Sequence, residues 1–544
     1  MKRAALWIVA LGVTAPAWAQ APGTESPAVR QALDAIRPGA LESHMRFLAD
    51  DMLEGRGTAT RGYELAARYV AAQYQRIGLE PAGEKGFFQP VPLRRASLIQ
   101  GKSGVTFTVQ GRRHDLVLER DYLMSADTYR RESEANAAVV FAGYGTTAPE
   151  LGYDDFAGID ARGKIVAVLS GSPPAFPHTL RAHYSNGRVK DANLAAHGAI
   201  GVISIRTPVD ERRSTWERIA PQSRQPSIRW VGEDGVPDGV APELRVSVTV
   251  NRGAAEKLFQ GAKAPLAEVF DAAEKGKLRG FDLPARARMR RASRHESVSS
   301  PNVIGVLPGS DPQLKREVVV LSAHLDHLGI GSPVRGDSIY NGAFDNATGI
   351  ASMIEVAAAL AAMKPRPKRS VMFLAVTGEE KGLQGSSYFA AHPTRPIEDL
   401  AADLNMDMYV MTAPLREVVA HGAEHSTLAS TVRQAAATLG LQVVSDPTPE
   451  QVVFVRSDQY SFVRRGVPSL FVTGQGGPSS AAALEDWRHR IYHSPQDDLD
   501  QPMDFESLAR FARLHLLMAQ RVANQPTRPK WNPGDFFGEH YGRR

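Results

Sequence analysis

The chain has 544 residues, 43% of them hydrophobic and 23% charged, which is the balance of an ordinary globular protein and too much length for a single core. Two domains are therefore predicted. The formal charge of +5 is small for this length, and no Arg/Lys stripe with interleaved aromatics occurs, so nucleic acid is excluded as a partner.

Residues 1–19 read as an export signal: Lys2 and Arg3, an apolar run from Ala4 to Val13, then Ala17-Trp18-Ala19 before Gln20. Cleavage after Ala19 places the mature protein in a bacterial periplasm, with secretion as the alternative. The absence of cysteine excludes a lipid-anchored cleavage site and disulfides, and leaves any metal to N and O donors. No other apolar stretch approaches the roughly 18 residues of a membrane span, so no membrane contact is expected after cleavage.

A first segment, 20–127, carries Arg46-Phe-Leu-Ala-Asp-Asp-Met-Leu-Glu54-Gly-Arg56, the stretch Ala66 to Leu79, and Phe87-Phe-Gln-Pro-Val-Pro. Residues 128–292 differ in character. Ala137-Ala-Val-Val-Phe-Ala-Gly-Tyr-Gly, Tyr153-Asp-Asp-Phe-Ala-Gly-Ile-Asp, Gly163-Lys-Ile-Val-Ala-Val-Leu and Lys190 to Ile205 predict short strands, glycine turns and one Ala-rich helix, ending in a basic linker, Arg286 to Arg294. Strands and helices alternate from 293 to 527, and the tail 528–544, rich in Pro, Gly and charge, is predicted to be loosely held. No internal repeat is evident.

The third stretch concentrates the chemistry. Val-Val-Val-Leu-Ser-Ala-His324-Leu-Asp326-His327 reads as a buried strand ending in His-x-Asp, a ligand followed by a carboxylate able to orient it. Asn-Gly-Ala-Phe-Asp345-Asn-Ala-Thr-Gly is a turn into a helix from Ile350 to Met363. The strand Ser370 to Val376 ends in Thr-Gly-Glu379-Glu380, the strand around Leu404 ends in Asn405-Met406-Asp407-Met408, and Tyr492-His493-Ser494-Pro495 comes late. Such strand ends are where open α/β sheets place their active sites.

His324, Asp345, Glu380, Asp407 and His493 suit a pair of zinc ions, because zinc takes imidazole nitrogen and carboxylate oxygen and two zincs can share one carboxylate. A general base is still required to collect a proton from water. The adjacent Glu379 and Glu380 supply one if, as in extended backbone, they point opposite ways, one to metal and one to water. Taken singly, each feature has a plainer explanation: a histidine in a structural hydrogen bond, a solvated Glu-Glu pair, Asp407 as a helix cap, His493 on the surface. The five in order, mostly at strand ends, outweigh those. His327, His421 and His425 look non-ligating, with His327 the nearest to an extra ligand, and Asp458 reads as a structural acid organising the loop under His493.

These motifs, with Arg456-Ser-Asp458-Gln-x-x-Phe, closely resemble the signatures of the di-zinc aminopeptidases, a superfamily that includes bacterial leucyl aminopeptidases, glutamate carboxypeptidase II and the transferrin receptor. The opening segment resembles that of the bacterial members, and 128–292 resembles the protease-associated domain many of them carry as an insertion. The resemblance implies an α/β fold, a mixed, mostly parallel sheet flanked by helices with a β-rich insert. It makes Asp345 the bridging ligand, with His324 and Asp407 completing one zinc and Glu380 and His493 the other. Glu379 becomes the base, Asp326 the partner orienting His324, and Tyr492 a donor to the oxyanion. It also implies a cis peptide bond between Asp345 and Asn346. Phe344 and Gln459 depart from the pattern, standing where many relatives carry an acidic residue and a histidine; neither is a ligand position, so tuning of the pocket is expected.

The activity implied is removal of amino-terminal residues from peptides with two Zn²⁺ per chain, the insert roofing the site. A carboxypeptidase or dipeptidase on the same scaffold would need a basic pocket for a free carboxylate. A non-catalytic receptor module would have no use for Glu379, and a glutaminyl cyclase no need for a bridging ligand.

Overall fold

Four apolar runs form the parallel centre of the main sheet, in the order Ser370–Val376, Val318–His324, Leu400–Asn405, Ser469–Gln475. The first three are buried along their whole length, as strands covered on both faces must be. Helices Pro38–Leu48, Arg61–Ile77, Thr348–Ala362 and Phe505–Asn524 cover one face, through Met45, Val70, Ile354 and Leu516 among others. Helices Gln384–Ala391 and Gln459–Val463 cover the other, through Phe389 and Phe462. Antiparallel strands flank the centre: Phe281–Leu307 beside Ser370–Val376, and Glu417–His421 beside Ser469–Gln475. The fold is thus the mixed α/β arrangement predicted. This computed structural model describes residues 25–410, 413–477 and 480–542, so the export signal read from residues 1–19 lies outside the described residues.

A second sheet has a core of its own, including Phe107, Phe141, Ile203 and Met289. Ile165–Leu169, Gly201–Ile205 and Val246–Val250 run parallel in it, and Glu132–Phe141 joins them to Phe281–Leu307. Three features differ from the sequence reading. The basic linker Arg286 to Arg294 is no linker: it lies within the 27-residue strand Phe281–Leu307, which is shared by both sheets. Ala285, Ala287 and Met289 face the core while Arg286, Arg288 and Arg290 face solvent, so what looks like a charge run is one side of a period-two alternation. The second sheet also begins before residue 128, because Gly104–Val109 and Arg112–Leu116 pair into it. Conversely, Ser227–Trp230 leaves it to pair with Phe88–Leu98 of the main sheet.

The tail differs too. Phe537, on helix Phe536–Tyr541, is fully buried among Phe454, Tyr460 and Ala182, and Asp535 receives a 2.7 Å contact from His425 Nδ1. Aromatic burial holds this stretch despite its Pro- and Gly-rich composition. Since Ala182 belongs to the second lobe and Phe454 to the first, the tail fastens one to the other.

Candidate metal centre

His324 is the last residue of its strand and 1% exposed. Its Nδ1 lies 3.0 Å from the main-chain oxygen of Asp326 and donates to it, which leaves Nε2 facing Asp345 Oδ1 and Asp407 Oδ1, each at 3.1 Å. The expected partnership of the Asp326 carboxylate with His324 is therefore corrected: the backbone oxygen orients the imidazole. The carboxylate instead accepts from Thr58 Oγ1 at 2.8 Å and from the N–H of Glu379 at 3.1 Å.

Asp345 sits in the turn Ala343–Ala347 that opens helix Thr348–Ala362, and its peptide bond to Asn346 is cis, as the resemblance implies. The Asn346 side chain ties this turn to the strand end that carries Asp407: its Nδ2 donates to Met406 O at 2.9 Å, and its Oδ1 accepts from Met408 N at 3.0 Å. Asp407 Oδ2 accepts from Ser457 Oγ at 2.5 Å. Glu379 and Glu380 both lie in a short turn, Glu379–Lys381, between Gly378 and Gly382, both at positive φ, so the turn and not the alternation of extended backbone sets their directions. A Cβ on Gly378 would lie 2.9 Å from Gln384 Cβ, so the turn is also sterically restricted to glycine.

The second half of the centre faces Asp345 from the other side. His493 Nε2 is 3.3 Å from both Asp345 Oδ2 and Glu380 Oε2. His327, fully buried, places Nδ1 2.8 Å from Glu380 Oε1 and 3.9 Å from Asp345 Oδ2. Continued extended backbone would turn His327 away from His324, but the strand ends at His324, so His327 faces the centre, as expected of the nearest extra ligand candidate. The His493 spacings match the edge of a tetrahedron of ligands at zinc bond lengths, about 3.3 Å; His327 also converges with Asp345 and Glu380 closely enough to share a cation, so both histidines face this second position. His421 and His425 lie apart from the centre, beside Thr473 and Asp535. Asp458 lies fully buried near His324, Asp407 and Asp326, and burial lifts its carboxyl to about 7.

The electrostatics fit a cation at each trio. Although burial opposes a charged imidazole, Glu380 and Asp345 push His493 up to about 10, and Asp407 and Asp345 raise His324 well above the ordinary histidine range. Burial and the neighbouring carboxylates hold Glu379 far above the usual glutamate range. The side chains alone leave an excess of buried negative charge, which attracts protons and would equally attract divalent ions.

The centre opens into a cleft of about 1090 Å³. Glu379, Glu380 and His493 line it on the side of the main sheet, and Arg130, Arg188, Arg218 and Arg229 on the side of the second lobe. Tyr492 stacks on His493, ring centroids 3.8 Å apart, and its hydroxyl is raised by burial.

Residues 302–519 match the sequence profile of peptidase family M28. A probable zinc metalloprotease of Pyricularia oryzae is 24% identical over 420 residues, 70% of this chain and 76% of its own length. The leupeptin-inactivating enzyme 1 of Streptomyces exfoliatus is 28% identical over 208 residues, 36% of this chain and 43% of its own. Among solved structures, an aminopeptidase from Aneurinibacillus sp. strain AM-1 shares the fold, with a TM-score of 0.55 at 19% identity over 95% of this chain and all of that one.

Two residues beyond the ligand candidates brace the centre. Arg56, 1% exposed, donates to the carbonyl oxygens of Leu48, Leu325, Asn341 and Gly342, which joins the opening segment to the turns after His324 and before Asp345. Asp497 accepts from Phe344 N at 2.8 Å and Asp345 N at 3.1 Å, so the loop after His493 carries the backbone of Asp345. The sequence offered one signal for each: Arg56 closes the opening motif, and Asp497 lies four residues beyond His493.

Proposed function

We propose that the chain is an exported zinc exopeptidase that releases amino-terminal residues from peptides, with His324, Asp345 and Asp407 holding one zinc and Asp345, Glu380 and His493 the other. The observation that carries this reading is the pair of N/O trios sharing Asp345, with Glu379 beside them on the floor of a cleft. Bound zinc supplies Lewis acidity and a lowered water pKa. The protein's own part is positional. Glu379, its N–H fixed by Asp326, takes the proton from the attacking water and returns it to the departing amine. Tyr492 donates to the carbonyl oxygen of the substrate as charge develops there. The second lobe, read as a protease-associated insert, narrows access to the cleft. Amino-terminal sequencing of the mature protein tests cleavage after Ala19.

Glu379→Gln keeps size but cannot accept a proton, so kcat falls by about 10² to 10⁴ with both zincs retained. Glu380→Gln instead loses zinc, because a neutral amide is a poorer ligand. Mass spectrometry for metal content beside kcat separates the two. An active Glu379→Gln enzyme, or one stripped of zinc while Glu380→Gln keeps both ions, refutes the assignment.

A second reading, a dipeptidase or carboxypeptidase, is favoured by the lining of the cleft. Arg130, Arg218, Arg456 and Arg464 line it outside any ion pair among the described residues, while Arg229 faces Asp191 and Lys381 faces Glu380; Glu217 is the acidic lining residue left to set against the four. A free carboxylate would suit that surplus. Rates on an aminoacyl anilide against an amino-blocked peptide decide between the readings.

A further inference from the structure

Arg218 belongs to the second lobe, on the short helix Trp216–Ile219. That helix is fixed to its own lobe by Trp216, whose buried indole Nε1 donates to Glu119 O at 2.6 Å and whose backbone N–H donates to the Glu211 carboxylate at 2.7 Å. From this base the guanidinium reaches across to the M28 segment. It donates to three main-chain oxygens: Arg488 O at 3.1 Å, His489 O at 2.7 Å, and Tyr492 O. The first two stand at the end of helix Ala481–Arg490, where carbonyls lack intrahelical donors and a cation meets the negative end of the helix dipole. The third belongs to the peptide that leads into His493.

That peptide needs holding. His493 has φ of 55°, the left-handed region that a residue with a Cβ occupies only when its surroundings impose it. The carbonyl of Tyr492 and the N–H of His493 share one rigid plane, so fixing the oxygen fixes the axis about which His493 turns. Tyr492, stacked on the imidazole, moves with the same plane.

We propose that Arg218 is a positioning residue for the metal centre: it anchors the Tyr492–His493 peptide from the second lobe and so aims His493 at Asp345 and Glu380. The second lobe is then part of the ligand scaffold as well as a wall of the cleft. The proposal rests on the reading of His493 as a zinc ligand.

The test compares the zinc-loaded wild type with Arg218→Ala, Arg218→Lys and His493→Ala, recording zinc retained against increasing chelator by mass spectrometry, then kcat and KM with and without methylguanidinium. In Arg218→Ala one zinc leaves at about ten-fold lower chelator while the other follows the wild-type curve, as for loss of a residue that orients a ligand. Its kcat falls about ten-fold with KM little changed, and methylguanidinium restores part of both losses. Lysine, a point charge that cannot span three carbonyls, falls between. A folded Arg218→Ala protein with the wild-type release curve overturns the proposal, and so does equal loosening of both zincs, which marks general damage. Should the alanine variant fail to fold, a wild-type release curve in Arg218→Lys overturns it. If His493→Ala itself keeps both zincs, the ligand reading fails and the proposal falls with it; if only the Arg218 variants behave as wild type, the ligand reading stands.

Discussion

Replacing Asp497 by alanine tests whether the shared carboxylate of Asp345 depends on a side chain that touches no ligand atom. Asp497 is fully buried and accepts from the N–H groups of Phe344 and Asp345 at 2.8 and 3.1 Å, while its own carbonyl accepts from Ala343 N at 3.0 Å. Burial lifts its carboxyl to about 6, so at pH 8 it is ionised and both bonds are charge-assisted. Each such bond contributes about 1.5 to 3 kcal/mol, and alanine leaves two buried N–H groups without acceptors, so the total cost is about 3 to 6 kcal/mol. Part of this appears as lost stability. Part appears as weaker zinc binding, because the backbone of Asp345 is released, and every 1.4 kcal/mol there is about ten-fold in Kd. Both zincs loosen together, since Asp345 serves both trios. Chelator competition at pH 8 reads the affinity, and melting of the metal-free protein reads the stability. Asp497→Asn keeps one acceptor but turns a donor toward the second N–H, so it recovers no more than half. An alanine variant that binds both zincs like the wild type refutes the reasoning.

Two further outcomes concern regions away from the metals. Phe537→Ala opens a cavity between the lobes and costs about 3 to 5 kcal/mol, measured as a lower melting temperature together with faster proteolysis of the segment after Asn524. Asp155 is buried in the second lobe, accepting from Tyr144 N, Thr146 N and Tyr153 Oη, and burial raises it to about 6. Because its pKa is raised in the fold, the lobe binds this proton more tightly than the unfolded chain does; stability is full below about 4 and is lost as pH rises through about 6, by an order of 3 kcal/mol. Asp155→Asn, which can still accept from both N–H groups, flattens that pH dependence in melting curves between pH 4 and 7; an unchanged slope excludes Asp155 as its source.

The strands of the main sheet were legible because they are buried on both faces and therefore read as unbroken apolar runs: Ser370–Val376 has the predicted bounds, and Val318–His324 ends on the predicted histidine. Ligand candidates at strand ends were legible for the same reason. What failed was information carried by direction and distance. Arg286, Arg288 and Arg290 look like a linker until alternation with buried Ala285, Ala287 and Met289 is seen as a strand face. The backbone oxygen of Asp326, not its carboxylate, meets His324, and no residue code specifies that choice. His327 reads as non-ligating only if extended backbone continues past His324; where the strand stops decides the face it points to, and it stops at His324. Phe537 was lost inside a composition that averages Pro, Gly and charge.

The contacts around the metal centre share one character, which explains why so much of it lay outside the motifs. Asp326, Asp345, Asp407 and Asp458 are buried together with Glu379 and Glu380 close by, yet the one fully buried guanidinium near them, Arg56, donates to four carbonyl oxygens and to no carboxylate. An arginine paired directly with a ligand carboxylate would neutralise it and weaken its hold on a cation. Neutral donors meet the buried carboxylates without cancelling their charge: the Ser457 hydroxyl donates to Asp407, the Thr58 hydroxyl and the Glu379 N–H to Asp326, and the N–H groups of Phe344 and Asp345 to Asp497. Cationic groups are kept one layer out, on carbonyls: Arg56 behind the turns of His324 and Asp345, Arg218 behind His493. Geometry is thereby fixed while the negative potential is preserved, and the residues that fix it come from several parts of the chain: Asn405 at a strand end holds Ser457 against Asp407, Asp497 and Asn346 hold the turn of Asp345, and Arg56 and Arg218 reach in from the opening segment and the second lobe.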